Sequence, residues 1–174
     1  MEFGNNNDIF FEQIVAIKKS GKDIFSFFVI WFFAVILIAL AVLFLGSFGL
    51  LIAVGIGYGA WWLSSKLNVE FEYIITNGTM DIDKIINKSS RKRITSFELP
   101  GVTKLEKYSP AKINNIDKKN VIFACNETDP NAYLMTVNRQ DKGAVNLIFA
   151  PNAKIKSAVE KFAPKFITNR AFKD

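Results

Sequence analysis

The sequence predicts an α+β membrane protein: a two-helix transmembrane hairpin, then a cytosolic antiparallel β-rich domain closed by a C-terminal helix. Three observations predict this. No charged residue lies between Asp23 and Lys66, and one helical bilayer span needs only about 20 apolar residues, so the run holds two. From Val69 the apolar pattern shifts to a period of two, the mark of strands. Near the C-terminus Ile155, Ala158, Val159, Phe162 and Phe166 recur at helical spacing.

Residues 1–23 are expected to form an amphipathic juxtamembrane helix. Phe10, Phe11, Ile14 and Val15 share a stripe, and Lys18, Lys19 and Lys22 gather at its end. Such a helix can lie along the cytosolic interface or pack on the soluble domain.

Residues 24–65 are read as the hairpin. Ile24 to Leu45 gives roughly 33 Å of helix and Phe48 to Ser65 roughly 27 Å at the usual rise per residue. Gly46, Ser47 and Gly49 permit the reversal between them. Gly55, Gly57 and Gly59 offer small surface for packing against the first span or a second copy, or are glycines of no special role. Lysines flank both outer ends while the turn carries no charge, so both termini are expected on the cytoplasmic side of the cell membrane in a multi-pass topology. Trp61 and Trp62 then fall at the interface as anchors. The run is too long, and begins too late, for a secretory signal peptide.

Residues 67–174 carry the strand signals. Val69, Phe71, Tyr73 and Ile75 alternate with Glu70, Glu72 and Ile74, and Asn77-Gly78 is the dipeptide best suited to a two-residue hairpin turn. Thr79 to Ile86 continues as a second strand. Asn87 to Arg93 reads as a basic turn leading into a third, interrupted at Pro100-Gly101, and Val102 to Tyr108 as a fourth. Val121 to Asn126 and Ala132 to Asn138 are expected to pair across a turn-rich loop, with Ala144 to Phe149 returning beside the latter across Arg139 to Gly143. Pro164 limits or bends the final helix. Six or seven antiparallel strands plus a closing helix resemble the pleckstrin-homology-like fold; another small roll or a partly open barrel fits the same pattern.

The segments FEQIVAIKKSGKD and VEFEYIITNGTMDIDKIINKSSRKRITSFEL are similar to a family of uncharacterised membrane proteins of Gram-positive anaerobes, domain of unknown function 6106. The resemblance implies an N-terminal helix, a transmembrane hairpin and a cytosolic strand-rich domain. It implies no activity.

Nothing in the sequence points to catalysis or a cofactor. There is no histidine, the commonest proton shuttle and metal ligand, and the single Cys125 stands in an alternating strand as a small core residue. Asp81 and Asp83 share one side of a strand, which permits a shared cation or a basic partner; a solvated face is the simplest account. The formal charge of +6 is concentrated in residues 67–174, with eighteen Lys and Arg against twelve Asp and Glu. Lys84, Lys88, Arg91, Lys92 and Arg93 form its densest cluster. Such a cluster suits anionic lipid headgroups or an acidic protein, or is a solvated hairpin tip; no recognition motif for nucleic acid accompanies it. The expected role is a membrane-anchored, non-enzymatic binding or scaffold protein in contact with the lipid bilayer. The alternative is a structural subunit of a larger membrane complex or transporter, oligomerising through its hairpin.

Overall fold

The computed structural model describes residues 9–114, 116–139 and 143–172. Its helices and strands follow the order β1 (Phe10–Ala16), α1 (Gly21–Leu45), α2 (Ser47–Ser65), β2 (Val69–Thr76), β3 (Thr79–Ile86), β4 (Ser90–Glu98), β5 (Val102–Lys107), β6 (Val121–Phe123), β7 (Tyr133–Arg139), β8 (Gly143–Phe149), α3 (Ala153–Phe162) and α4 (Lys165–Ala171). This is an α+β fold with two apolar helices ahead of a β-rich region. The strands form two four-stranded sheets, ordered β1-β2-β3-β4 and β5-β7-β8-β6. The chain packs as two compact units, residues 17–70 with 85–90, and the remainder.

In the first of these units the helices dominate. The Ser20 N–H donates to the Asp23 carboxylate at 2.8 Å, which starts α1 at Gly21 and places an acid in its first turn, where the helix dipole favours one. A single residue, Gly46, joins α1 to α2, with φ +56° and ψ −128°, a conformation that glycine adopts without a Cβ penalty. The reversal is thus shorter than the Gly46 to Gly49 segment expected. A Cβ on Gly49 would meet the Ala41 carbonyl and lie 2.7 Å from the Val42 Cα, so the helices touch through backbone there. Ala34, Ala41 and Ala60 are buried along the helices. By contrast Phe25, Leu43, Phe44, Phe48, Leu51 and Val54 are each 70–79% exposed.

The expected amphipathic helix over residues 1–23 is corrected by the structure: Phe10–Ala16 is a strand, with alternating exposure along its length, and residues 1–8 lie outside the described residues. Long-range bonds override the helical spacing of its apolar residues. Ile9 and Asn77 exchange hydrogen bonds at 3.0 and 3.1 Å, the Ile17 N–H donates to the Val69 carbonyl at 3.1 Å, and the two ends together set β1 antiparallel to β2. The Gln13 side chain donates to the Ala150 carbonyl at 2.9 Å and accepts from the Asn152 N–H at 2.8 Å.

The other unit holds the core. Tyr73, Ile75, Met80, Ile82, Met135, Leu147, Ile148, Phe149 and Ile155 have no exposed surface. Asn77 and Gly78 take φ of +50° and +94°, as the hairpin dipeptide predicts. β7 pairs antiparallel with β5 on one side and β8 on the other.

A second expectation fails here. Val121 to Asn126 does not pair with Ala132 to Asn138; β6 ends at Phe123 and runs parallel to β8, with Val121 opposite Asn146. Both edges of β7 are already occupied, and after Phe123 the chain tucks Ala124 and Cys125 into the core. The sheet is therefore mixed. The turn expected across Arg139 to Gly143 lies partly outside the described residues.

The C-terminal helix is two helices. Asn152 caps α3, its side chain accepting from the Ile155 N–H at 2.9 Å, and Pro164 separates α3 from α4. The break turns α4 so that Ile167, Thr168 and Ala171 are buried while Phe166, expected on the apolar face, is exposed.

Candidate functional site

The five basic residues singled out by the sequence do not form one free cluster. Side chains alternate along a strand, so Arg91 and Arg93 leave β4 on one face and Lys92 on the other. The same rule sets Asp81 and Asp83 apart from Lys84 on β3. Arg93 forks between two carboxylates, with Nε 2.7 Å from Asp83 Oδ1 and Nη1 2.7 Å from Asp81 Oδ2. Arg91 reaches Glu72 on β2, Nη1 to Oε2 at 2.9 Å. The acids are the buried partners: the Glu72 side chain is fully buried and that of Asp83 6% exposed, whereas the arginines are about half exposed.

This polar stripe continues to β1. Burial pushes the Glu72 carboxyl above its ordinary range, and the neighbouring Glu12 carboxyl adds to the shift, while Arg91 opposes it. Asp83, through its hydrogen bond, raises the Arg93 guanidinium further and keeps it charged. Glu72 was not among the residues singled out. The Glu70-Phe71-Glu72-Tyr73 alternation marks it as strand-facing, but nothing local shows that an arginine two strands away reaches it.

Lys84, Lys88 and Lys92 make no ion pair among the described residues. Lys88 occupies the turn after β3, where Asn87 and Lys88 both take left-handed φ, +52° and +57°. The Asn87 N–H donates to the Asn68 carbonyl at 2.8 Å, which fixes the turn. A lysine in this conformation carries a steric penalty that glycine avoids.

A Cβ on Gly55, Gly57 or Gly59 would meet nothing within 4 Å. Close approach within the hairpin falls on Gly49, which the sequence marked only as part of the turn. Trp61 and Trp62 sit in the last turn of α2, both half exposed. The Ser64 and Ser65 hydroxyls donate to the Trp61 carbonyl at 3.0 and 2.8 Å, and Lys66 Nζ stands 3.3 Å above the Trp62 ring centroid, a cation–π contact.

Among the described residues no group of three or more His, Cys, Asp or Glu side chains could hold a metal ion. Cys125 is buried, and burial first, then Asp129, pushes its thiol up to about 12. A thiol so placed stays protonated at neutral pH and is a poor nucleophile.

No curated protein and no solved structure matches the chain significantly. A family model does, over residues 7–169, which spans the β1 strand, the helices, both sheets and most of α4. The chain belongs to the family described as the bacterial PH-like domain, DUF6106.

Proposed function

We propose that the chain is a membrane-anchored, non-enzymatic binding or scaffold protein, with α1 and α2 spanning the bilayer as a hairpin and the PH-like domain presenting an interaction surface to the cytosol. The observation that carries this reading is the apolar girth of the two helices. Each is long enough to cross a bilayer, and only 11% and 17% of their most apolar windows is buried. In water, exposing that much Phe, Leu and Val would forgo about 25 cal/mol for every Å² of apolar surface left unburied; in lipid the same surface is at home. Basic residues at the outer ends and an uncharged connection favour cytoplasmic termini.

Confinement at the membrane raises the local concentration of whatever the domain meets, so weak contacts act together. Lys84, Lys88 and Lys92, which pair with no acid among the described residues, are the cations that would contact anionic headgroups or an acidic protein. The left-handed backbone at Lys88, at φ +57°, favours a role for that cation.

The test is alkaline carbonate extraction of membranes, with single-cysteine labelling of a chain carrying Asn120→Cys and Cys125→Ala. The protein should remain in the membrane pellet, and a membrane-impermeant maleimide should label the introduced thiol only after the cells are opened. Release by carbonate, or labelling of intact cells, overturns the anchor or its orientation.

A second reading, a subunit packed through its hairpin into a larger membrane complex, is favoured by the open space over Gly55, Gly57 and Gly59. Replacing Gly57 with Leu should abolish a higher-order assembly on this reading and leave a monomeric anchor unaffected.

A further inference from the structure

A groove of about 520 Å³ opens beside the edge strand β6, lined by Tyr108, Ile113, Ile116, Val121, Phe123 and Glu127. Its volume lies in the range that encloses small molecules. Two half-buried aromatic rings form adjoining walls, Tyr108 and Phe123 standing at 89° with centroids 6.2 Å apart. Aliphatic side chains from the segment after β5 and from β6 extend the lining, which also includes Pro110, Asn114 and Thr128. The Tyr108 N–H is tied to the Ala132 carbonyl at 2.9 Å, and successive turns fix the loop that carries Glu127, with the Asp129 N–H bonded to the Asn126 carbonyl at 3.0 Å.

Among the described residues the one charged side chain lining the groove is acidic, Glu127, in a chain whose formal charge is +6. Among the described residues Glu127 makes no ion pair and no basic side chain lines the groove. Lys112, the nearest cation in sequence to Ile113, is engaged elsewhere: its Nζ donates to the Lys107 carbonyl at 2.8 Å and lies 3.4 Å from Glu106. Burial, and after it Glu127, raises the Tyr108 hydroxyl above its ordinary range, so the phenol stays neutral and adds no negative charge of its own.

We propose that this groove binds a small organic cation, an alkylammonium with an apolar body. The ammonium sits against the faces of Tyr108 and Phe123 with Glu127 as its counter-ion, and the apolar body lies on Ile113, Ile116 and Val121. Aromatic faces attract cations through their quadrupole, more strongly where water is partly excluded, and the carboxylate selects against a neutral molecule of the same shape. The site is independent of the lysines on the other sheet and of the membrane reading.

Choline and its uncharged isostere 3,3-dimethylbutan-1-ol test the proposal, titrated into the full chain in maltoside micelles while the methyl resonances of Ile113, Ile116 and Val121 are followed by NMR. Choline should shift these resonances saturably and the isostere should bind at least about tenfold more weakly, the difference one charge pair supplies. Glu127 is exposed, so Glu127→Gln preserves the fold; it should weaken choline about tenfold and change the isostere by less than about twofold. Equal binding of the two probes, choline binding indifferent to Glu127→Gln, or no saturable shift overturns the proposal.

Discussion

The Tyr73 hydroxyl donates to the Ala124 carbonyl at 2.6 Å and at the same time accepts from the Ala150 N–H at 3.2 Å. One phenol on β2 thus satisfies two backbone groups of the other sheet, just beyond β6 and β8, while its ring packs edge-on to Phe149 at 5.9 Å. Tyr73→Phe keeps the ring and orphans both groups. It should lower stability by about 1–3 kcal/mol, measured as a shift in the thermal unfolding midpoint of the full chain in detergent.

Arg93 should matter more than its exposure suggests, because it neutralises the nearly buried Asp83. With the arginine half in solvent, Arg93→Ala is expected to cost about 1–2 kcal/mol. Lys92→Ala, one position away on the opposite face, should stay within about 0.5 kcal/mol. A double-mutant cycle with Asp83→Asn should give a coupling above about 0.5 kcal/mol; additive losses would show that the fork contributes no stability.

Two carboxylates should respond to pH in opposite senses. Burial, with Glu12 adding to it, raises Glu72, so its protonated form is favoured by the fold; its contribution is complete below the ordinary glutamate value of 4.5 and is lost as pH rises through the folded value. For Glu106 burial acts upward but is outweighed by Lys104 at 2.9 Å and Lys112 at 3.4 Å, and the net shift is down. Its contribution is present above 4.5 and is lost as pH falls through the folded value. Relative to the parent, Glu72→Gln should gain stability as pH rises above 4.5, whereas Glu106→Gln should lose it as pH rises towards 4.5 from below. Unfolding midpoints across pH 3 to 8, about the span in which carboxylates titrate, check both signs.

Gly49→Leu should disrupt the hairpin and Gly57→Leu should not. Overpacking a close backbone contact costs about 1–3 kcal/mol, and only Gly49 makes such a contact within the helix pair. The loss would register as earlier helix melting at 222 nm in maltoside micelles. Equal behaviour of the two variants would place the close approach elsewhere.

Lys88→Gly should stabilise the chain by about 1 kcal/mol, by relieving a left-handed lysine at φ +57°. The same variant should weaken recovery on vesicles containing anionic lipid if the cation contacts headgroups. A more stable protein that binds such vesicles less well is the signature of a residue kept for contact rather than for folding.

Local chemistry made some elements legible and left others hidden. Asn77-Gly78 specifies its turn through two adjacent residues, and the uncharged run specifies its helices through composition, so both were readable. Phe10–Ala16 was not, because its strand depends on Asn77, Val69, Ala150 and Asn152, all distant in sequence. β6 has the local pattern of half a hairpin with β7, and only the pairing of β7 with β5 and β8 sends it to the far edge of β8. The basic cluster was readable as charge but not as a site, since Glu72 neutralises Arg91 from two strands away and alternation alone cannot name that partner.

The joint at Gly46 has a mechanical consequence. One residue bridges at most about 3.6 Å, and hydrogen bonds run through the joint from Gly46 to Val42 and from Gly49 to Gly46, each at 3.0 Å. Neither helix can slide along its axis without dragging the other, so a piston stroke of one against its neighbour is forbidden. Any signal the hairpin transmits must be a tilt or a splay of the whole fork.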